Sequence, residues 1–212
     1  MDRTDQIWQS FFEQFRLSEK QKTQFLLYAR LLQMHNQEIN LTTLTTDQEI
    51  VRDHFQDSLA LSLISDITFK HIADVGAGAG FPGIPLKIFY PDIQLTLIEV
   101  IGKKVNFLNQ VITELNLTQT IVSDLDWRTF LRKTSYDIDL FCARASLPIS
   151  ELLRMFKPSC FYKNARLVYW ASQHWQPNSV EKEYLLTEDF YQLNAKKRRL
   201  VFFAPPDDFE KK

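Results

Sequence analysis

Glycine is scarce in this sequence, with five residues in 212, and four of them fall between His71 and Leu86. Cysteine is scarcer still: Cys142 and Cys160 form no C-x-x-C pair, which excludes a disulfide scaffold or zinc ribbon and fits a reducing compartment. The four histidines are dispersed. No His-rich, Ser-His-Asp or paired-carboxylate constellation stands out, so no metal centre is expected. Neither sign of charge dominates: the net charge is −1, so any nucleic-acid contact has to come from a local basic patch. No apolar run approaches membrane-spanning length, and the first six residues lack the basic and apolar regions of a signal peptide. A soluble, cytoplasmic, monomeric protein with no membrane partner is the expectation. Repeats and low-complexity tracts are absent. The chain, 45% hydrophobic, is long enough for one α/β unit with an appendage: residues 1–66 are read as a helical extension packed on a core of residues 67–212.

What is present is concentrated at the glycines. His71-Ile72-Ala73-Asp74-Val75 reads as a buried strand, Gly76-Ala77-Gly78-Ala79-Gly80 as a tight turn, and Pro82 or Pro85 suits the first turn of a following helix. Strand, glycine turn and helix N-terminus together build a nucleotide crevice in open α/β sheets. Gly78-Ala79-Gly80-Phe81-Pro82-Gly83 also satisfies the dinucleotide fingerprint, with Glu99 about twenty residues later. A pyrophosphate, however, would meet the Asp74 carboxylate at the strand end. S-adenosylmethionine has no phosphate and carries an ammonium and a sulfonium, so Asp74 beside Gly76 and Gly78 is expected to face a cationic ligand. Glu99, at the end of the next strand, suits the ribose hydroxyls of either cofactor. A turn serving only strand–helix packing is the plainer alternative.

Along the chain, Trp8, Phe11 and Phe15 recur at helical spacing, as core rather than as a stacking platform. Ser18 with Gln21 and Thr46 with Glu49 form capping-box signatures that open a second and a third helix, the third running through Val51, His54, Phe55 and Leu59. From residue 70 strands and helices alternate: His71–Val75, Pro82–Phe89, Leu95–Glu99, Lys103–Leu115, Thr120–Ser123, Trp127–Leu131, Asp137–Ala143, Ile149–Phe156 and Arg166–Ala171. This pattern predicts a mainly parallel, doubly wound sheet with right-handed crossovers. Tyr184–Leu193 and Arg199–Ala204 read as a closing antiparallel hairpin around a basic turn, Lys196 to Arg199, before a frayed tail from Pro205.

Asn40-Leu41-Thr42, His54-x-x-Asp57-Ser58, the segment Asp74 to Leu86, Gly102-Lys103-Lys104-x-x-Phe107-Leu108 and Ala143-Arg144-Ala145 resemble, in order and spacing, the bacterial glucose-inhibited division protein B family. The resemblance runs from about residue 20 to about residue 203. It implies a Rossmann-like class I methyltransferase fold that uses S-adenosylmethionine to methylate N7 of a guanine in small-subunit ribosomal RNA. Ribosomal RNA or the small ribosomal subunit would be the partner. By the same resemblance Gly76 and Phe81 line the cofactor, Glu99 holds the ribose, and Arg144 sits at the cofactor and substrate end, orienting the base. Trp127 and Arg128 occupy the family's adenine-contacting positions, where main-chain groups or the indole could serve.

The chain also departs from the family. Asp126-Trp127-Arg128-Thr129 replaces a stretch with an acidic pair, Tyr169-Trp170-Ala171-Ser172 lacks a lysine, and Pro158-Ser159-Cys160 replaces a glycine turn. These changes bear on RNA binding more than on cofactor binding. A methyltransferase for another RNA or a small molecule, and a non-catalytic cofactor-binding relative, therefore stay beside the first reading. The chemistry asks little: guanine N7 has a free lone pair and no proton, so alignment suffices without a general base. Methylation of an exocyclic amine would call for an Asn-Pro-Pro-Tyr-like clamp where Cys142-Ala143-Arg144-Ala145 stands. Arg144 can equally be a structural ion-pair partner, Cys142 a small core residue rather than a nucleophile, and His54 a bridge to Asp57. Lys103, Lys104, Arg128, Arg132 and Lys133 with Lys196 to Arg199 are expected on one rim, contacting phosphates or solvated.

Overall fold

The computed structural model describes residues 3–64, 68–193 and 196–206. Helix α1 (Arg3–Gln14) buries Trp8 and Phe11, as their spacing requires, and Phe15 is buried just past its end. Helix α2 (Glu19–Ile39) begins with the expected reciprocal cap between Ser18 and Gln21, and the Gln21 amide reaches on to donate to the carbonyls of Ile88 and Phe89. It ends at Asn40 in the left-handed conformation, φ 50°. The Thr46–Glu49 capping box likewise opens α3 (Asp47–Glu49). The third helix then departs from expectation, widening into π-helical turns over Ile50–Gln56 and closing as a 3₁₀ turn over Leu59–Leu63. Such widening changes which side chains share a face, and it is frequent at functional sites.

The alternating region forms strands β1 (His71–Val75), β2 (Gln94–Ile98), β3 (Thr120–Ser123), β4 (Leu140–Ala143) and β5 (Arg166–Ser172), with helices α4 (Gly83–Phe89), α5 (Gly102–Glu114), α6 (Trp127–Lys133) and α7 (Ile149–Met155) between them. A further helix, α8 (Ser179–Tyr184), precedes strands β6 (Leu185–Leu193) and β7 (Lys196–Phe203). Helix α8 is not among the expected elements; it opens with a capping box between Asn178 and Glu181. The sheet order is β3-β2-β1-β4-β5-β7-β6. The first five strands are parallel, and β7 runs antiparallel to both β5 and β6, so the fold class is the expected one. Strand β7 starts at Lys196 rather than Arg199, so the basic run lies in the strand and not in a turn. The 66/67 division of the chain and the tail from residue 207 fall outside the described residues.

Side chains alternate between two apolar layers, as they must on strands covered on both sides. Ile72, Leu95, Leu97 and Cys142 pack with α1, α2, α4 and α5; Ala73, Val75, Phe141 and Ala143 pack with α6 and α7. Phe11, Phe25 and Phe55 join the first layer, with Phe25 5.0 Å from each of the other two rings. Strand order reverses between β1 and β4. The carboxyl ends of these two strands therefore diverge into a crevice, where open sheets of this kind bind ligands.

Candidate functional site

The crevice encloses about 690 Å³ and is walled by the turn after β1, the residues after β2 and β4, the loop 41–44 and the π-helical segment. Gly76, at φ 67°, lies so close to the loop after β4 that a Cβ there would come 2.5 Å from Ser146 Cβ. Only glycine lets the two loops meet and brings Arg144 beside the turn. Tyr28, fully buried on α2, donates to the Ala79 carbonyl at 2.5 Å and braces the turn from below. Glu99 braces it from the side, accepting from Gly78 N–H through Oε2 and from Ile101 N–H through Oε1, each at 2.9 Å. Its carboxylate forms part of the crevice wall with acceptor capacity to spare.

Asp74 does not face the crevice, and the expectation that it meets a cationic ligand is corrected. The carboxyl is fully buried beneath the turn, where Oδ2 accepts from Gly83 N–H at 2.7 Å and Oδ1 has no partner. Gly83 is needed there, because a Cβ would stand 2.9 Å from Asp74 Oδ2. Burial is the main cause of a pKa raised to about 7, opposed by the Gly83 hydrogen bond. The case against a pyrophosphate nevertheless stands on different ground. The helix N-terminus that would receive it is already capped from within by Asp74.

Arg144 is the centre of the polar half. Its Nη1 donates to Asp57 Oδ2 at 2.8 Å and to the Asp53 carbonyl at 3.1 Å, and its Nη2 lies 2.8 Å from His54 Nδ1. The guanidinium sits 5.2 Å from the Phe81 ring centroid, and Phe81 stacks on His54 at 4.2 Å, so the plane of the arginine is held on both edge and face. Asp57 is inaccessible to solvent and is the hub of the group: Oδ1 accepts from the Tyr191 hydroxyl at 2.6 Å and lies 3.3 Å from Arg198 Nε. Its carbonyl accepts from Trp170 Nε1 at 2.8 Å. Stripping Arg144 from this carboxylate would leave a buried charge short of its partner, a change that costs about 3–5 kcal/mol in comparable pairs. His54 is kept neutral, its pKa lowered to about 3 by burial first and by Arg144 second. Arg144 is thus both an ion-pair partner and a crevice residue with N–H groups left over.

Of the residues singled out in the sequence, Gly76, Gly78, Phe81, Glu99 and Arg144 meet at the crevice. Trp127 does not. Its indole lies in the core, T-shaped on Phe141 at 5.0 Å, with Nε1 donating to the Leu152 carbonyl at 3.0 Å, so an indole–adenine stack is not available in this geometry. Arg128 points to the surface and pairs with Glu151 at 3.1 Å. Cys142 is fully buried, with a thiol pKa pushed up by burial and by Asp74, which suits a packing residue and not a nucleophile. The basic residues do not share one rim: Lys104, Lys196 and Arg198 line the crevice, while Arg132 and Lys133 line a separate cavity beside Lys157 and Phe161. Arg199 is buried, bonded to Glu188 and to the carbonyls of Ser172, Gln173 and Trp175. Thr42 and Asp57 stood in motifs but had no assigned role, and Tyr28 was missed. A tyrosine on a helix's apolar stripe carries no sequence signal of the carbonyl it will meet. Among the described residues no group of three or more His, Cys, Asp or Glu side chains could hold a metal ion, and no helix is long and apolar enough to cross a membrane.

The sequence profile of the family described as rRNA small subunit methyltransferase G matches residues 21–201. The ribosomal RNA small subunit methyltransferase G of Macrococcus caseolyticus is 41% identical over 147 residues, 68% of this chain and 61% of that protein. Its namesake from Streptococcus agalactiae is 48% identical over 104 residues, 48% of this chain and 44% of that protein. The match thus spans about three fifths or less of these two relatives' length. Among solved structures, the mitomycin 7-O-methyltransferase MmcR superposes with a TM-score of 0.57 at 12% identity, covering 84% of this chain and 60% of that one. At that identity the likeness is one of fold alone.

Proposed function

The chain belongs to the rRNA small subunit methyltransferase G family, and from that premise we propose that it transfers the methyl group of S-adenosylmethionine to N7 of a guanine in small-subunit ribosomal RNA. The observation that carries the reading is the crevice at the β1/β4 switch point, polar on one wall, around which the residues with the most obvious catalytic chemistry are already committed. His54 has both ring nitrogens engaged, Asp57 is committed to Arg144, Tyr191 and Arg198, and the Cys142 thiol is buried. Such a site suits an acceptor that needs no deprotonation.

The residues present fit the cofactor. Ser146 Oγ is buried without a partner beside the Gly76 turn, and Glu99 offers carboxylate oxygens at the crevice wall. Gly76, Gly78 and Phe81 would line the bound molecule, Glu99 would accept from the ribose hydroxyls, and Asp74 would act indirectly by fixing the turn. Bound there, S-adenosylmethionine supplies an electrophilic methyl group. The protein supplies alignment: Phe81, His54 and Asp57 hold the Arg144 fork, whose remaining N–H donors suit guanine O6 or a neighbouring phosphate. Orientation of this kind can account for several powers of ten in rate.

The test is transfer of labelled methyl groups from S-adenosylmethionine to small ribosomal subunits from cells lacking this protein. Digestion of the product should yield 7-methylguanine. Arg144→Lys, which keeps a cation against Asp57, should bind the cofactor with modest loss and transfer roughly a hundredfold or more slowly. Absence of transfer by wild-type protein that binds the cofactor would overturn the rRNA reading. Near-wild-type transfer by Arg144→Lys would remove Arg144 from substrate orientation.

A further inference from the structure

Donor and acceptor chemistry dictates the direction of every hydrogen bond in the chain that starts at Asp57. A guanidinium only donates, so His54 Nδ1, 2.8 Å from Arg144 Nη2, is an acceptor. A neutral imidazole that accepts at one nitrogen donates at the other, so Nε2–H points to Thr42 Oγ1, 2.8 Å away. The same oxygen accepts from Leu44 N–H at 3.1 Å. Both lone pairs of the threonine oxygen are then used. Its own proton must be given away, and among the hydrogen bonds of the described residues it has no acceptor.

Thr42 is half-buried and lines the crevice with His54, Gly76 and Arg144. The loop that carries it is anchored, since its N–H donates to Asn36 Oδ1 at 2.8 Å. A free threonine hydroxyl is ambivalent; this one is locked as a donor. We propose that Thr42 is a ligand-facing hydrogen-bond donor whose polarity is set through His54 and Arg144, and that it takes a proton-free oxygen acceptor.

Within the function proposed above, on which this inference rests, two such acceptors reach the crevice: the cofactor's carboxylate and guanine O6. Guanine N7 is not a candidate, because its lone pair has to stay free for the methyl group. In the second case the fixed donor also selects the base, since adenine presents an amino group where guanine presents O6. His54 is a positioning residue in this scheme. Burial and Arg144 disfavour its protonation, which keeps the polarity of the chain constant through the neutral range.

The experiment compares Thr42→Val, Thr42→Ser and His54→Phe with wild type, each checked for its melting temperature. One arm measures the dissociation constant of S-adenosylmethionine by calorimetry; the other measures single-turnover methyl transfer to unmethylated small subunits at saturating cofactor. Thr42→Val should lose about 10- to 100-fold in the first arm if the carboxylate is the partner, or in the second if the base is. Thr42→Ser, which keeps the hydroxyl, should stay within about threefold of wild type in both. The double variant Thr42→Val/His54→Phe should be no worse than His54→Phe alone, because the two act through one bond chain. A Thr42→Val protein that equals wild type in both arms overturns the inference, and so do losses that multiply in the double variant. Wild-type protein that binds cofactor but methylates no subunits counts against the rRNA reading alone, and Thr42 is then decided by the cofactor arm.

Discussion

Asp74 uses one oxygen on Gly83 N–H and buries the other without a partner, and its pKa rises from the usual 3.8 to about 7. Between those values the folded chain holds a proton that the unfolded chain has released. The stability this residue provides is therefore complete below about pH 4 and is lost as pH rises through 7, at about 1.4 kcal/mol for each unit separating the two values. His54 has the opposite sign: its pKa is lowered from 6.5 to about 3, so its contribution is present above 6.5 and is lost as pH falls toward 3. Asp74→Asn keeps an acceptor for Gly83 N–H and removes only the first effect. Thermal melts from pH 4 to 8 should show wild type losing a few kcal/mol relative to Asp74→Asn as pH rises. Parallel pH profiles for the two proteins would refute the buried, proton-binding carboxyl.

Strand β7 shows how period-two geometry divides a run of like charges. Lys196 and Arg198 turn to the crevice, where Arg198 meets Asp57 and the exposed Lys196 lies 3.5 Å from Asp53. Arg199 turns the other way, where it is buried against the carbonyls at the end of β5 and packed near the rings of Trp175 and Phe190. An exposed pair such as Lys196–Asp53 is worth little to stability, whereas removing the buried Arg199 loses at once its bonds to Glu188 and to the carbonyls of Ser172, Gln173 and Trp175. Under the proposed function, Lys196→Glu should therefore weaken binding of small subunits and reduce its salt dependence by about one ion, with an unchanged melting temperature. Arg199→Met should lower the melting temperature by several degrees and, where folded, leave the salt dependence alone. Binding measured over a salt series together with thermal melts decides between these assignments, and the reverse pattern would overturn both.

At the scale of the whole molecule, the N-terminal helices are part of the core and of the crevice. Phe11, Phe25, Tyr28 and Phe55 share one apolar layer with Ile84, Leu97 and Phe107 from the α/β part. The same helices carry Tyr28 against the turn and His54 and Asp57 into the crevice, and the loop between α2 and α3 brings Thr42 there. A fragment beginning at residue 67 would expose that layer to water and lose the acceptor for Arg144. It should aggregate, or bind a hydrophobic dye while lacking near-ultraviolet dichroism. A cooperatively melting fragment would show instead that the α/β part folds by itself.

Much of this was legible from local rules. Period-two and period-3.6 patterns placed β1 to β3, α4 and α5 close to their observed bounds, the Ser18 and Thr46 caps opened the helices they announced, and the clustered glycines located the crevice. Those features depend on residues a few positions apart, and the chain's own stereochemistry determines them. The pairing of Arg144 with Asp57 spans 87 positions, and no local rule selects it. Nor could pattern alone say that the third helix would widen and carry His54 toward Arg144, that Trp127 would turn its indole to the core, or that Asp74 would cap a helix beneath the turn. Each of these is an amphipathic or charged side chain with two chemically acceptable surroundings. Only the packing of distant elements, which removes water from one of them, decided which it would take.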